Sequence, residues 1–286
     1  MKYVNIILEI KKLRFTLSCT VARRLIGVFT MPTLMELLDS GVHFGHKKER
    51  SNPKMKDYIF SLREGVFIID LDKTKDLLDI AVDYLKNEIN AGKTILFVGT
   101  KRQAKESVTR IAEGSGMPYI TQRWLGGTLT NYETVRRSIT EMEALEVKIV
   151  SPEFNAITKK ERKIITDRLE KLRRVFGGVK DMKKLPDVVF VVDAHRERLA
   201  VEEASRMGIA VVAIADTDAN PEGITHIIPA NDDAVKSLEL IMREIENVVS
   251  IKKRAKIAPA AVKETEVKAE DKKTQTKTKE VAKEEK

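Results

Sequence analysis

Two kinds of apolar pattern alternate along the chain. Thr94-Ile95-Leu96-Phe97-Val98, the run from Asp187 to Asp193 and the run from Ala210 to Ala215 are short and apolar at almost every position. A segment with no polar face predicts a strand covered on both sides. Val66-Phe67-Ile68-Ile69-Asp70-Leu71, β-branched and aromatic, predicts another buried strand, and Tyr119-Ile120 and His226-Ile227-Ile228 predict two short ones.

Between the strands, apolar residues recur every three or four positions, the spacing of one helical face. Leu77, Leu78, Ala81, Val82, Leu85 and Ile89 predict a helix over 74–90 that stops at Gly92. Ala104, Val108, Ile111 and Ala112 predict one closed by Gly114 and Gly116, and Leu199, Ala200, Ala204 and Met207 one ending at Gly208. A last helix runs from about Asp232 to Val249, and Thr33-x-x-Glu36 reads as a capping box opening a short helix that ends near Gly41. Fully apolar strands alternating with amphipathic helices give an α/β fold: a doubly wound, mainly parallel, Rossmann-like sheet.

Residues 131–178 interrupt this alternation. Val135, Ile139, Met142, Leu145 and Ile149 form one narrow stripe, and Ile165, Leu169, Leu172 and Phe176 form a second after the capping box Thr158-x-x-Glu161. A linker containing Pro152 joins them and Gly177-Gly178 ends the pair. The expectation is an inserted antiparallel helical hairpin, coiled-coil in character, projecting from the sheet domain.

Composition marks the ends as different from the body. Residues 1–30 are apolar and basic, and residues 255–286 are Lys, Glu, Thr and Ala without an aromatic side chain. The first segment lacks the small-residue cleavage site of a secretory signal. It reads as an N-terminal extension or an over-long gene start, with Met31 as the true start; an acid-poor transit peptide is the alternative. The second cannot bury enough apolar surface to offset ordering entropy and reads as a disordered tail. The domain is therefore expected over 31–254. A single cysteine, Cys19, allows no internal disulfide and points to a reducing cytosol. No apolar run approaches the ~20 residues that span a bilayer.

The net charge of +9 is unevenly placed. Residues 159–184 carry a net +7 and residues 185–254 a net −5. One basic projection on a nearly neutral body suits a protein that grips nucleic acid at a few places.

Several segments imitate catalytic motifs. Gly92-Lys93-Thr94 resembles the end of a phosphate loop, but Asn87 stands where that motif needs glycine, and a strand follows where one should precede. Gly99-Thr100-Lys101 does lie between a strand and a helix, and an RNA backbone phosphate suits it better than a dinucleotide, for no Gly-x-Gly-x-x-Gly accompanies it. His43 and His46, Asp193-x-His195 and Asp216-x-Asp218 complete no ligand set of metal-binding spacing. The aspartates stand at strand ends, where active sites of this architecture lie, or they cap the turn before Pro221.

Read together, the loops carry a family pattern. Gly41-Val42-His43-Phe44-Gly45-His46 is followed by Asn52-Pro53-Lys54-Met55, Ile69-Asp70-Leu71-Asp72-Lys73-Thr74 and Phe97-Val98-Gly99-Thr100-Lys101-Arg102-Gln103-Ala104. Then come Gln122-Arg123-Trp124-Leu125-Gly126-Gly127-Thr128-Leu129-Thr130-Asn131, Gly177-Gly178, Leu185-Pro186-Asp187 and Ile228-Pro229-Ala230-Asn231-Asp232-Asp233-Ala234. In order and spacing this resembles the bacterial ribosomal protein S2 family from about Thr33 to Val249. Ser51, Lys47-Lys48-Glu49 and Ala230 depart from its usual residues. The resemblance implies a structural, non-enzymatic protein of the small ribosomal subunit in the cytoplasm, without cofactor, metal or small-molecule substrate. It implies contact with 16S rRNA and neighbouring small-subunit proteins, and a part in anchoring the mRNA-binding protein S1.

Candidate phosphate contacts are Lys47, Lys48, Arg50, Lys54 and Lys56 in the first loop and Lys101 and Arg102 at a helix start. Arg136, Arg137, Lys159, Lys160, Arg162, Lys163, Arg173 and Arg174 on the hairpin join them. Arg123 and Trp124 form a further pair: Trp124 either stacks on a base or packs the hairpin root onto the sheet. Two other classes compete: a nucleotide-dependent enzyme, and a scaffold that binds a protein through its acidic 185–254 region.

Overall fold

The computed structural model describes residues 31–249; the expected N-terminal extension and C-terminal tail lie outside them. Thr33 and Glu36 form the expected reciprocal capping box on helix α1 (Leu34–Asp39). Strands β1 (Phe44–Lys47), β2 (Ile59–Arg63) and β3 (Val66–Ile69) follow, then helix α2 (Leu71–Asn90). Strand β4 (Ile95–Val98), helix α3 (Lys105–Ser115) and strand β5 (Tyr119–Ile120) precede the interruption, which holds α4 (Tyr132–Val150) and α5 (Lys159–Phe176). Strand β6 (Val188–Val192), helix α6 (Arg198–Arg206), strands β7 (Ala210–Ala215) and β8 (His226–Pro229) and helix α7 (Val235–Val249) complete the chain.

Five strands form the parallel sheet in the order β5-β4-β6-β7-β8. The chain winds outward from β4 to β5, then returns to the other side of β4 at β6. The C-terminal ends of β4 and β6 thus flank the point where the winding reverses. The two faces divide by strand alternation. Ile95, Phe97, Val188, Phe190, Val192 and Val212 pack with α2, α3 and α7 on one side. Leu96, Val98, Val189, Val191, Val211 and Ala213 pack on the other with α6 and the buried residues of α4 and α5.

The run Val66 to Leu71 departs from expectation. Its strand belongs to a separate three-stranded antiparallel sheet, β1-β3-β2, and most of it is half-buried. Asp70 and Leu71 leave the strand: Asp70 caps α2, its carboxylate accepting from the amides of Asp72 and Lys73. Glu64 and Gly65 join β2 to β3 with φ of 50° and 79°, the paired positive values of a tight hairpin turn. The segment around His43 and His46, read as loop, contains strand β1. Helix α7 begins at Val235, three residues later than expected, because the Asn231 carboxamide accepts from the amides of Asp233 and Ala234 and holds a turn there.

Helices α4 and α5 carry the two predicted stripes, and Thr158 and Glu161 form the second capping box. Burial falls on the N-terminal half of α4 (Val135, Ile139, Met142) and the C-terminal half of α5 (Leu169, Leu172, Phe176). At the opposite ends Val147, Val150 and Ile164 are 73%, 86% and 60% exposed. Arg168 pairs with Glu141 and Arg173 with Glu146, linking the two helices.

Candidate nucleic-acid interface

The first basic cluster stands on the small antiparallel sheet and the turns after it. Lys47, Lys48, Arg50, Lys54 and Lys56 are all exposed. Asn52 accepts from the Lys54 amide and caps the turn at Pro53, and Met55 is fully buried beneath it, so the lysines beside it face outward. Lys54 is committed to Glu222 at 2.6 Å; Lys47, Lys48, Arg50 and Lys56 make no ion pair among the described residues.

On the helical pair, Arg137, Lys159, Lys160, Lys163, Arg173 and Arg174 are exposed and Arg136 and Arg162 half-buried. Arg173 pairs with Glu146 at 2.8 Å. Arg102 and Arg123 are exposed.

Lys101 is placed otherwise. It is buried, and its ammonium lies 2.7 Å from Asp232, 2.7 Å from Asp233 and 3.4 Å from Asp193. Burial alone would lower its pKa; the three carboxylates outweigh that and raise it. Asp232 is pushed above the carboxylate range by burial and by Asp193 and Asp216. Its ammonium is therefore engaged inside the fold, donating to Asp232 and lying close to Asp233 and Asp193, unlike the exposed cations of the first loop and the helical pair.

The same crevice holds His46. Its Nδ1 lies 3.0 Å from Asp216, and its Nε2 lies 3.4 Å from Asp233 and 3.9 Å from Asp218. The Asp216 contact, with the charges of Asp218 and Asp232, overcomes burial and raises its pKa to about 9. His195 reaches Asp218 at 3.4 Å. Beside them Thr100 donates through its amide (3.3 Å) and its hydroxyl to the buried carboxylate of Glu197. The reversal point of the sheet, where this architecture usually receives a ligand, is filled by mutually paired side chains. Gly45 lets β1 approach closely: a Cβ there would lie 2.6 Å from the Thr217 methyl and 3.0 Å from the Phe67 carbonyl.

Trp124 is buried against the second face of the sheet, where it packs the root of the helical pair. Its indole Nε1 donates to Glu203 Oε1 at 3.0 Å. Glu203 organises the whole segment from Trp124 to Thr130. Oε1 also accepts from the Gly127 amide (2.8 Å), and Oε2 from the amides of Leu129 (3.0 Å) and Thr130 (3.2 Å) and the Thr130 hydroxyl (3.1 Å). Burial would raise its pKa, yet the hydrogen bonds from Trp124 and these amides hold it below the usual glutamate value. Sequence reasoning passed over Glu203. Its signal was position: a carboxylate three residues after Ala200 and one before Ala204, on the apolar face of its helix.

Among the described residues no cluster of side chains is arranged to hold a metal ion, and no helix is long and apolar enough to cross a membrane.

Comparison with known proteins agrees with this architecture. The profile of the family described as Ribosomal protein S2 matches residues 37–251. The chain is 48% identical over 219 residues to the small ribosomal subunit protein uS2 of Francisella philomiragia, covering 77% of this chain and 92% of that one. The uS2 proteins of Francisella tularensis subsp. novicida and subsp. tularensis match with the same identity and coverage. With the loop motifs, the parallel sheet and the match over most of its length in agreement, the chain belongs to the ribosomal protein S2 family.

Proposed function

We propose that this chain is a structural constituent of the small ribosomal subunit, that it binds small-subunit rRNA through its exposed basic loops and helical pair, and that it helps to anchor protein S1. The observation that carries the RNA reading is the division of its cations. Lys101, the one lysine at the sheet's reversal point, is consumed by three carboxylates. Lys47, Lys48, Arg50 and Lys56, and on the helices Lys159, Lys160, Lys163 and Arg174, face solvent without an ion pair among the described residues. Charges held outward at separate places suit attachment to a folded, phosphate-rich surface. The anchoring of S1 rests on the family resemblance.

In this reading 31–254 is one ribosomal domain. Residues 131–178 form an antiparallel arm inserted in it, and the arm stands away from the sheet at the end where Val147, Val150 and Ile164 are exposed. The paired crevice favours a structural role over catalysis, since Lys101 and His46 are already engaged by the carboxylates around them.

The test is sedimentation. Tagged chain should migrate with small subunits in a sucrose gradient and remain bound in moderate salt. Reversing Lys159, Lys160, Lys163 and Arg174 to glutamate should release it at lower salt. A chain absent from small subunits, or an arm reversal that leaves incorporation untouched, would overturn the proposal.

A further inference from the structure

The chain enters the described fold through Met31, whose half-buried side chain packs against the core between the sheet and α2. Helix α1 follows at once and lies against α2, burying only Leu37. Its other large apolar side chains, Leu34, Met35 and Leu38, stay exposed, Met35 by 65%. On α2, Ile80 is 52% exposed. Two adjoining helices thus present apolar side chains that nothing among the described residues covers.

The same surface is acidic. Asp72, Asp76, Asp79 and Asp83 recur along α2 at steps of four, three and four, so they share one flank of the helix. Lys75 and Lys86 stand on that flank too, two ammonium groups against four carboxylates. Glu36 and Asp39 on α1 add to the acidic side. Asp79 is half-buried, and one of its carboxylate oxygens is buried without a hydrogen-bond partner among the described residues. Burial, with Asp76 and Asp83 beside it, raises its pKa against the opposing charge of Lys75.

The residues that precede Met31 have the complementary character. Residues 1–30 carry six basic side chains against Glu9, and Leu25, Ile26, Val28 and Phe29 bring apolar groups next to the entry point. Arg23 and Arg24 stand eight and seven residues before Met31. An extended stretch of that length spans roughly 25 Å, against about 30 Å for the whole of α2. The apolar groups are therefore tethered beside the exposed face of α1, and the arginines reach the carboxylates of α2, which their planar guanidinium groups suit.

We propose that residues 21–30 dock on this surface: Leu25, Ile26, Val28 and Phe29 cover Leu34, Met35 and Ile80, and Arg23 and Arg24 pair with Asp79 and Asp83. The proposal takes residues 1–30 as an extension present in the protein, and it stands apart from the ribosomal reading.

Three measurements on the full chain test it. The intact mass of the protein from its native source should include residues 1–30; a chain beginning at Met31 overturns the proposal. A nitroxide on Cys19, the single cysteine, should broaden the amide resonances of α1 and of residues 76–83. Those of α6, which packs on the other face of the sheet, should stay sharp. Unbroadened α1 resonances count against docking. Broadening seen only when labelled chain is mixed with isotope-enriched unlabelled chain makes a second copy the occupant, and the proposal fails. Finally, Asp79→Asn with Asp83→Asn should lower Tm by about 2–4 °C. In an Arg23→Gln, Arg24→Gln background the same pair should raise Tm or leave it unchanged, because only the repulsion between carboxylates is then removed. An equal fall in both backgrounds shows that the arginines are not the partners.

Discussion

Replacing Glu203 by glutamine should loosen the junction between the helical pair and the sheet domain at almost constant side-chain volume. The carboxylate takes two N–H donors on each oxygen: Trp124 Nε1 and the Gly127 amide on Oε1, the Leu129 and Thr130 amides on Oε2. A carboxamide offers one oxygen and one NH2 group, so either orientation turns an NH2 toward two N–H donors. The Thr130 hydroxyl can rotate to accept; the amides cannot. Two stranded, largely buried donors at about 1–3 kcal/mol each give a loss of roughly 2–6 kcal/mol. For a domain of this size 1 kcal/mol corresponds to about 2–4 °C, so Tm should fall by roughly 4–24 °C. Amide hydrogen exchange should speed first at Gly127, Leu129 and Thr130.

The pH dependence has a definite sign. The folded state holds this carboxyl below its ordinary pKa, so its stabilisation is complete above the unfolded glutamate value of about 4.3 and is lost as pH falls from there through the folded value. The loss of Tm on acidification should therefore be steeper in the unaltered protein than in Glu203→Gln. A glutamine variant melting within a degree or two of the parent at neutral pH, with unchanged exchange at those amides, would refute the claim that this carboxylate holds the segment together.

Other expectations follow from single contacts. His46, raised to about 9, contributes stability that is complete below its unfolded pKa of about 6.5 and disappears as pH rises through 9; thermal melts from pH 6 to 10 should show this decline in the parent and a flatter profile in His46→Gln. Lys101→Met leaves Asp193, Asp232 and Asp233 without their shared cation and should cost about 3–5 kcal/mol, read by denaturant unfolding; an unchanged midpoint would show that the carboxylates need no partner. Gly178→Ala forces a Cβ to 2.3 Å from the Tyr119 carbonyl, so the root of α5 must shift, at about 1–3 kcal/mol, with faster proteolysis between α4 and α5 as the readout.

What the sequence disclosed depended on how local the cause was. β4, β6 and β7 were legible because a strand buried on both faces needs apolar residues throughout, and each of these is fully or almost fully buried. The capping boxes at Thr33 and Thr158 were legible because donor and acceptor lie three residues apart. The small sheet was not. Its β2 strand turns Phe60 and Leu62 outward, 71% and 44% exposed, against the usual alternation, and its hairpin turn places Glu64 at a positive φ that favours Gly or Asn.

The site divides along the same line. Exposed lysines between turns could be read from their neighbours. The fate of Lys101 was decided by residues 92 to 132 positions away, which only the reversal of winding between β4 and β6 brings to one place. That reversal creates a crevice at the strand ends in any open α/β sheet. Here carboxylates from the ends of β6, β7 and β8 converge on it, and left alone they would repel one another. Lys101 from the end of β4 and His46 from β1 supply the opposing charge. The crevice then acts as a clasp between the antiparallel sheet and the parallel one, and the sheet's strand ends are spent on cohesion. The exposed cations of the outer loops and helices are the ones whose charge the fold does not need for itself.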